Sequence, residues 1–523
     1  MAPQKSERRV VAKALRKKGL TEVFETPRGA KATSVNEQTK QLRLHFEAAD
    51  IARAQAHAVD DERDVRPRTS LTLATPLSKF HEQHASSVTM ESVVQRLYAS
   101  FECVASNKGA PGPDRQSIAE VRTHLNEVLS ELAASLLEGS YKPGEIRRVW
   151  IPKAGGGERG LGIPNVVDRV VQEAVRQVLE PVYEPTFHES SHGFRPNRSC
   201  HTAIVTATRY IEEGYEWVVD LDLEKFFDRV NHQRLMAKLA QQVGDRRILV
   251  LLGKMLKAAV VMPDGLRVST EEGVPQGGPL SPLLSNVVLS ELDFELERRG
   301  HRFVRYADDC NIYVRSERAG QRVMASVTDF IERRLRLKVN SSKSAVARPE
   351  NRHFVGFRMQ CDALTGEVEV LLSVRSKERI DSKIRELTPR NWGSSLDACI
   401  LQLNGYLRGW LGFFGICTTS AERTFQSLDA HIRRRLRAIQ LAHWKGRRTI
   451  VRNLIQLGIK SSTAWRCIYG GRKSIWNLSH VPVVDRALRN AYFAKRGLVS
   501  LTERWRLNHE RILAPKQLTL TWG

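Results

Sequence analysis

The stretch that decides the fold is "HRFVRYADDCNIYVRS", residues 301–316. Residues 303–306 and 310–314 are rich in apolar, β-branched and aromatic side chains, which predicts two β-strands. The tight turn between them carries Asp308 and Asp309. Two adjacent carboxylates at a hairpin tip repel each other unless a cation neutralises them, so this turn suits a divalent metal ion.

A second source of carboxylates is "WVVDLDLEKFFDRVNH", residues 217–232. Its start alternates as a strand does, which places Asp220 and Asp222 on one face. A strand Asp beside an Asp-Asp hairpin is the arrangement of a two-metal phosphoryl-transfer centre. An Asp-Asp pair alone is weak evidence, since Asp60 and Asp61 form another pair to which we assign no role.

Residues 273–292, "GVPQGGPLSPLLSNVVLSEL", predict a loop that leads into a helix. Ser281 followed by Pro282 is typical of an N-cap with proline in the first turn. Before them, Gly277 and Gly278 lack side chains, so the backbone can approach a bound base or sugar closely. By itself, an ordinary loop-to-helix junction explains the same residues.

Residues 149–164, "VWIPKAGGGERGLGIP", predict a hairpin with a glycine-rich turn. Lys153 before the turn and Arg159 after it would offer two cations to a triphosphate. The segment has neither the P-loop nor the dinucleotide-binding pattern, so it does not belong to those nucleotide-binding classes. Two solvent-facing cations without a ligand are the alternative that this segment alone leaves open.

The charge balance favours a polyanionic partner. The 523 residues carry 82 Lys and Arg against 58 Asp and Glu, a formal charge of +24, and a hydrophobic fraction of 41% excludes wholesale disorder. Residues 430–484 contain twelve Lys and Arg and no Asp or Glu. A solvated helix face would interleave acids with bases, so a phosphate-binding surface is favoured, with nucleic acid preferred to an anionic membrane.

Two apolar stripes with spacings of three and four predict the helices that carry this charge. They are formed by Leu396, Ile400, Leu403, Leu407, Leu411 and Phe414, and by Phe425, Leu428, Ile432, Leu436 and Ile439. A turn over residues 415–420 separates them, and Thr419 with Glu422 predicts a capping box for the second helix. Burial of the second stripe would turn three arginines outward: Arg433, Arg434 and Arg437.

Other classes of protein are disfavoured by what the sequence lacks. No apolar run approaches the ~20 residues of a membrane-spanning helix, and the N-terminus is charged, which predicts a cytoplasmic protein with no membrane partner. The seven cysteines include no C-x-x-C pair, so free thiols are expected rather than a zinc site or a disulfide framework.

Eight short motifs, taken in order, resemble those of bacterial group II intron reverse transcriptases. They are "NKGAPGPD" (107–114), "IPKAGGGERGLGIP" (151–164), "HGFRPNRS" (192–199), "DLDLEKFFDRVNH" (220–232), "VPQGGPLSPLLSN" (274–286), "YADD" (306–309), "LKVNSSKS" (337–344) and "HFVGF" (353–357). "LNGYLRGWLGFF" (403–414) and "RRRLRAIQLAHWKGRR" (433–448) resemble that family's thumb or maturase region. The resemblance covers residues 100–500, approximately.

The resemblance implies an RNA-directed DNA polymerase with two Mg²⁺ ions per active site. The family's metal-binding Asp lies five residues before an aromatic, which selects Asp222 rather than Asp220 and makes Phe227 the residue that excludes a 2′-hydroxyl. It implies that catalysis and metal binding rest on Asp222, Asp308 and Asp309, with the backbone carbonyl of Leu223 as a further metal ligand. It implies nucleotide contacts from Lys153, Arg159, Leu223, Phe227, Gln276, Gly277 and Lys343.

Two further roles follow from the same resemblance. Lys343 matches the position that protonates pyrophosphate in polymerases. The basic helical region is expected to bind RNA through Arg433, Arg434, Arg437, Lys445, Arg447 and Arg448.

The expected fold class is α/β (α+β), because short strands and helices alternate between about residues 145 and 360 and helices alone follow about residue 371. The resemblance implies a right-hand polymerase. Its parts would be an N-terminal extension (1–85), fingers and palm (86–370), a helical thumb or maturase region (371–485) and a C-terminal segment without the family's endonuclease (486–523).

The expected partners are intron RNA, an RNA template with a DNA primer, target DNA and dNTPs, in the service of splicing and retrohoming. One alternative is an RNA-binding splicing factor without polymerase activity, which intact Asp222, Asp308, Asp309 and Phe227 argue against. Another is a related reverse transcriptase that serves a CRISPR or diversity-generating system. A retron enzyme is disfavoured because the resemblance continues past residue 403.

Overall fold

The structure is a computed structural model that describes residues 88–152, 156–362, 366–389, 391–471 and 473–513. The predicted N-terminal extension and Lys153 lie outside these residues. In the described ranges, no helix is both long and apolar enough to cross a membrane.

Ten helices precede or surround the central strands of the described chain. They are α1 (Met90–Gln95), α2 (Leu97–Ser106), α3 (Ile118–Thr123), α4 (Leu125–Glu138), α5 (Val166–Tyr183), α6 (Cys200–Glu212), α7 (His232–Leu239), α8 (Arg246–Leu256), α9 (Ser281–Arg298) and α10 (Glu317–Phe330). Side-chain caps fix several of their starts. The Thr89 side chain accepts a hydrogen bond from the Ser92 backbone, and Ser117 with Glu120 forms a capping box at α3.

The strands are β1 (Ile146–Pro152), β2 (Glu158–Ile163), β3 (Trp217–Asp222), β4 (Val260–Val261), β5 (Arg267–Val268), β6 (Arg302–Tyr306), β7 (Asp309–Val314), β8 (Ala345–Ala347), β9 (Phe357–Cys361) and β10 (Val368–Leu372). One sheet has the order β2-β1-β4-β5, a second the order β6-β7-β3-β8, and β9 pairs with β10. The two predicted hairpins are confirmed, since β1 pairs antiparallel with β2 and β6 with β7.

The central sheet β6-β7-β3-β8 is buried on both faces because its side chains alternate between two cores. Val219 and Ile312 belong to the core built with helices α1 to α5 and α7 to α10. Val218 and Tyr313 belong to a second core, which also holds α6 and the C-terminal helices. The sheet therefore packs between the two hydrophobic cores of the described fold.

After β10 the described chain is entirely helical, which confirms the expected α/β body followed by a helical region. The helices are α11 (Val374–Leu387), α12 (Leu396–Phe414), α13 (Glu422–His443), α14 (Arg447–Gln456), α15 (Ser461–Tyr469), α16 (Ile475–Leu478), α17 (Pro482–Ala487), α18 (Asn490–Ala494) and α19 (Leu501–Leu513). Both predicted apolar stripes are buried except for Phe414, which is partly exposed.

Two predicted helix caps are wrong. Thr419 lies in a short 3₁₀ turn, and α13 begins at Glu422 without a side-chain cap, because Glu422 instead accepts a hydrogen bond from Arg506 Nε at 3.1 Å. Ser281 is the first residue of α9 rather than its N-cap, because its hydroxyl donates to the Pro275 carbonyl at 2.6 Å and closes the preceding loop.

Candidate active site

Three acidic residues lie at the same end of the central sheet. Asp222 ends β3, and its partner across the antiparallel ladder is Asp309, the first residue of β7. Directly opposed residues have Cβ atoms about 4.5 to 5.5 Å apart, so these two carboxylates can share a ligand. Asp308 is next to Asp309 in the turn. The prediction that both Asp308 and Asp309 lie in the turn is wrong for Asp309, because Tyr306 and Asp309 already pair as strand residues.

The turn itself is held by a buried arginine that sequence reasoning missed. Ala307 has φ of 59°, a left-handed conformation that non-glycine residues rarely adopt. Arg305, which is fully buried, donates from Nη1 to the Ala307 carbonyl at 2.8 Å and to Asn286 Oδ1 at 3.0 Å. It also donates from Nε to Asp293 at 2.7 Å, and Asp293 is equally buried. A charged residue inside an otherwise apolar strand was the available signal.

Gly193 packs against the same turn. A Cβ atom placed on Gly193 would lie 2.2 Å from the Ala307 nitrogen, so no side chain fits there. The neighbouring backbone runs beside β6, with His192 N donating to the Arg305 carbonyl at 2.8 Å and Arg305 N donating to the Ser190 carbonyl at 2.8 Å. The predicted "HGFRPNRS" motif therefore supports the turn through backbone contacts.

The electrostatics of the acidic cluster favour a cation. Burial, reinforced by the charges of Asp220, Asp308 and Asp222, raises the pKa of Asp309 well above its usual range. Burial and the Asp222 charge also raise the pKa of Asp308, while Arg159 and Lys343 oppose that rise. Buried carboxylates repel one another, and a bound divalent ion removes that repulsion. Carboxylate oxygens are also ligands that Mg²⁺ and Ca²⁺ prefer.

Lys343 reaches the cluster from the loop before β8. Its Nζ lies 3.2 Å from Asp222 Oδ2, and both side chains are accessible to solvent. The loop is fixed to β3 because Asn340 N donates to the Asp222 carbonyl at 2.8 Å and the Asp222 N–H donates to Ser344 Oγ at 3.0 Å. In the described chain, no three His, Cys, Asp or Glu side chains are close enough to hold a metal as they stand.

Asp220 is paired with an arginine and is not part of the acidic cluster. Arg352 donates from Nε to Asp220 Oδ2 at 2.7 Å and from Nη2 to the Lys343 carbonyl at 2.6 Å. The Asp220 charge is therefore balanced by its own arginine. Arg352, which the sequence analysis did not single out, ties that pair to the Lys343 loop.

The backbone of Leu223 is placed beside the carboxylates. Leu223 lies opposite Val339 in an isolated antiparallel β-bridge. The hydrogen bonds of this bridge are made by the neighbouring residues: Asn340 N donates to the Asp222 carbonyl, and Glu224 N donates to the Lys338 carbonyl, both at 2.8 Å. The bridge itself does not use the Leu223 carbonyl, which suits the metal-ligand role expected for it.

Phe227 lines a cavity of about 560 Å³ between the first sheet and the loop before α9. Other walls of this cavity are Arg148, Trp150, Gly162 and Gly273. Phe226, the preceding residue, is buried and packs edge-on against the Phe227 ring, with ring centroids 5.1 Å apart. The Phe227 ring is thus held by the core while one side faces the cavity.

Gln276 and Gly277 pack against the first hairpin. The Gln276 carbonyl accepts a hydrogen bond from Gly162 N at 2.7 Å. Gly277 has φ of 119°, and a Cβ there would lie 2.6 Å from the Gly162 carbonyl oxygen. The structure therefore gives a packing reason for the glycine. Arg159 is exposed on β2 opposite Ile151.

The predicted RNA-binding residues do not all face solvent. Arg434, Lys445 and Arg448 are exposed, and Arg433 is partly exposed. The prediction that Arg437 points outward is wrong: it is buried, donates from Nε to the Leu488 carbonyl at 3.0 Å and pairs with Asp485. The segment that follows α16 folds back over this side of α13. Arg447 is partly exposed, and its guanidinium donates to three backbone carbonyls: Ile468, Gly471 and Lys473.

Comparison with known families divides the chain in the same way as the fold. Residues 151–359 match the family described as reverse transcriptase (RNA-dependent DNA polymerase). Residues 377–455 match the group II intron maturase-specific domain. The first match contains the acidic cluster, and the second covers most of α11 to α14.

Individual proteins are similar to parts of this chain. Protein YkfC of Escherichia coli (strain K12) is 33% identical over 339 residues, which are 56% of this chain and 86% of YkfC. Group II intron-encoded protein LtrA of Lactococcus lactis subsp. cremoris is 34% identical over 199 residues, 38% of this chain but only 32% of LtrA. This chain therefore spans about a third of the LtrA length.

Among solved structures, a chain of a partial Cas6-RT-Cas1--Cas2 complex is 21% identical with a TM-score of 0.31. The alignment covers 52% of this chain and 46% of that chain. A score this low supports no statement about function or partners.

Proposed function

The chain belongs to the group II intron reverse transcriptases, and from this premise we propose that it adds deoxynucleotides to a primer 3′-hydroxyl on an RNA template. The family match implies a polymerase that depends on a divalent metal ion. The observation that carries the proposal is the pairing of Asp222 with Asp309 across the sheet, beside Asp308.

Mg²⁺ would be held by Asp222, Asp308 and Asp309 together with the Leu223 carbonyl. The donor set fits this ion, since it consists of hard oxygen ligands with an excess of negative charge. Two ions bound there would lower the pKa of the primer hydroxyl and neutralise the triphosphate leaving group. Lys343 already pairs with Asp222 Oδ2, so a metal ion bound there would share this carboxylate with the lysine.

The other residues would bind and orient the nucleotide. Arg159 and Lys153 would contact the triphosphate, and Gln276 with Gly277 would line the nucleotide pocket. Phe227 would exclude ribonucleotides because its ring occupies the space of a 2′-hydroxyl. Lys343 Nζ would hold the proton that the departing pyrophosphate accepts.

We place intron RNA on the C-terminal helices, with Arg433, Arg434, Lys445 and Arg448 as phosphate contacts. The support is the maturase-specific match and the lack of acids in residues 430–484. Splicing assistance and retrohoming to target DNA belong to this proposal.

The test is incorporation of dTTP on poly(rA)/oligo(dT) with Mg²⁺. The wild-type protein should extend the primer, and the double variant D308A/D309A should not. The matched control is D60A/D61A, which removes another adjacent Asp pair and should retain activity. If wild type and D308A/D309A were both inactive, the polymerase assignment would fail. The data would then favour an RNA-binding splicing factor.

A further inference from the structure

An exposed pair of aromatic rings lies beyond the maturase-specific match. Helix α15 (Ser461–Tyr469) buries Ala464 and Ile468 against the fold and turns Trp465 and Tyr469 outward. These two side chains remain 44% and 43% exposed. Large aromatic side chains dominate protein cores and interfaces, so two of them side by side on a surface indicate a binding surface.

The two rings form a preorganised surface. Their centroids are 5.1 Å apart and their planes differ by 28°, so they stack on each other. The Arg447 guanidinium carbon lies 5.9 Å from the Tyr469 centroid. That guanidinium is fixed in turn, because it donates to the carbonyls of Ile468 and Gly471 at 3.3 Å and of Lys473 at 3.2 Å. We call Trp465 and Tyr469 the ring pair.

The charged residues of α14, of α15 and of the loop after each of them are all basic. The exposed cations on α14, on α15 and in the described part of the loop after each of them are Arg448, Arg452, Lys460, Arg466 and Lys473. In the described part of the chain, none of these five forms an ion pair with a carboxylate. The nearest acid later in the sequence, Asp485, is paired with the buried Arg437. An apolar protein partner would not need this excess, whereas a polyanion would.

Stacked aromatics beside unneutralised cations are the features that bind single-stranded nucleic acid, because every base has an aromatic face. A duplex does not offer such a face, since its bases are already stacked within the helix. We infer that the ring pair stacks an unpaired base of single-stranded RNA while the surrounding cations contact the flanking phosphates. The choice of RNA rests on the proposed function, since α15 packs directly on α14 of the maturase-specific region.

The experiment compares full-length wild type with W465A/Y469A. Affinities are measured by fluorescence anisotropy for three labelled probes of equal length: oligo(rA), oligo(dA) and a blunt RNA duplex. Loss of one stacked base predicts about a tenfold weaker affinity for oligo(rA), with the duplex affinity unchanged. The variant W465F/Y469F keeps two ring faces and should bind oligo(rA) as wild type does. F294A removes another half-exposed aromatic, on α9, and should change none of the three affinities.

Three results would overturn the inference. Unchanged oligo(rA) affinity in W465A/Y469A would remove the ring pair from RNA binding. An equal loss of affinity for the RNA duplex would mean that the rings do not stack on an unpaired base. A loss on oligo(dA) without a loss on oligo(rA) would contradict the assignment to RNA. Each can occur while wild type still extends oligo(dT) on poly(rA), so failure here is distinct from failure of the polymerase assignment.

Discussion

Arg305 Nη1 donates a hydrogen bond of 2.8 Å to the carbonyl of Ala307, two residues further along the same hairpin. Ala307 has a positive φ, and a non-glycine residue keeps such a conformation only where its surroundings enforce it. The enforcing group is a charge with no exposure to solvent, paired with the equally buried Asp293. The position of Asp308 therefore depends on an ion pair beneath the sheet.

The first prediction concerns the stability of this pair. Arg305→Leu should destabilise the fold by about 3 to 5 kcal/mol, because it leaves the Asp293 carboxylate buried without a partner. The double variant R305L/D293L should recover part of the loss, since no uncompensated charge remains. The measurement is the urea midpoint followed by tryptophan fluorescence.

Arg298→Leu is the control for that experiment. Arg298 pairs with Glu295 on the same helix as Asp293, but its side chain is 70% exposed, and exposed pairs contribute little. Its urea midpoint should match wild type. If R305L also unfolded at the wild-type midpoint, the buried pair would not be what holds the turn.

The second prediction concerns close packing against the turn. A methyl group at Gly193 would collide with the Ala307 nitrogen at 2.2 Å and would lie 3.0 Å from Ala307 Cα and from the Tyr306 carbonyl carbon. All three are backbone atoms, so the turn must shift. Because a displacement of about 1 Å can cost roughly 100-fold in rate, Gly193→Ala should lower kcat for dTTP by that order. Primer extension under saturating dTTP measures it.

Gly253→Ala tests whether the effect is specific to the turn. Gly253 lies within α8, and its added methyl would meet no atom within 4 Å. Alanine is the better helix former by about 0.5 to 1 kcal/mol, so this variant should keep full activity and melt no lower than wild type. Wild-type kcat in G193A would show that the turn tolerates the shift.

Much of this site follows from local pattern. The alternation of residues 217–222 and the apolar runs around Asp308 predicted the strands that bring Asp222 and Asp309 into register. The contacts of Arg305 and Arg352 were not predictable in the same way, because each joins groups that only the fold brings together. Arg352, for example, bonds Asp220, which is 132 residues away in sequence.

The arginines of α13 show the limit of periodicity. The apolar stripe predicted which face of the helix is buried, and that face is buried. It could not reveal that residues near Asp485 return to cover a second face, which buries Arg437. The helical period predicts which face of a helix is apolar and buried in the core. Whether its other faces are exposed to solvent depends on how later segments of the chain pack against them.

The third prediction concerns sugar selection. Phe227→Ala should admit UTP on poly(rA)/oligo(dT), because it removes the ring that would occupy the space of a 2′-hydroxyl. Phe227→Tyr keeps that ring and should still exclude UTP. The measurement is the ratio of kcat/KM for dTTP to that for UTP. A ratio in F227A equal to that of wild type would remove Phe227 from this role.

The fourth prediction concerns RNA affinity and salt. Arg433→Ala with Arg434→Ala should flatten the plot of log K against log salt for a labelled hairpin RNA. Each lost phosphate contact should lower the slope by about 0.7 to 0.9, because fewer counterions are released on binding. An unchanged slope would place the phosphate-binding surface elsewhere.

Arg437→Ala separates charge from structure in that experiment. It removes one positive charge from the same helix, but this guanidinium is buried against Asp485 and the Leu488 carbonyl, where a phosphate does not reach it. Its salt slope should equal that of wild type while its melting temperature falls, because two partners lose their hydrogen-bond donor. A flattened slope in R437A would mean that total charge, rather than the exposed positions, governs RNA binding.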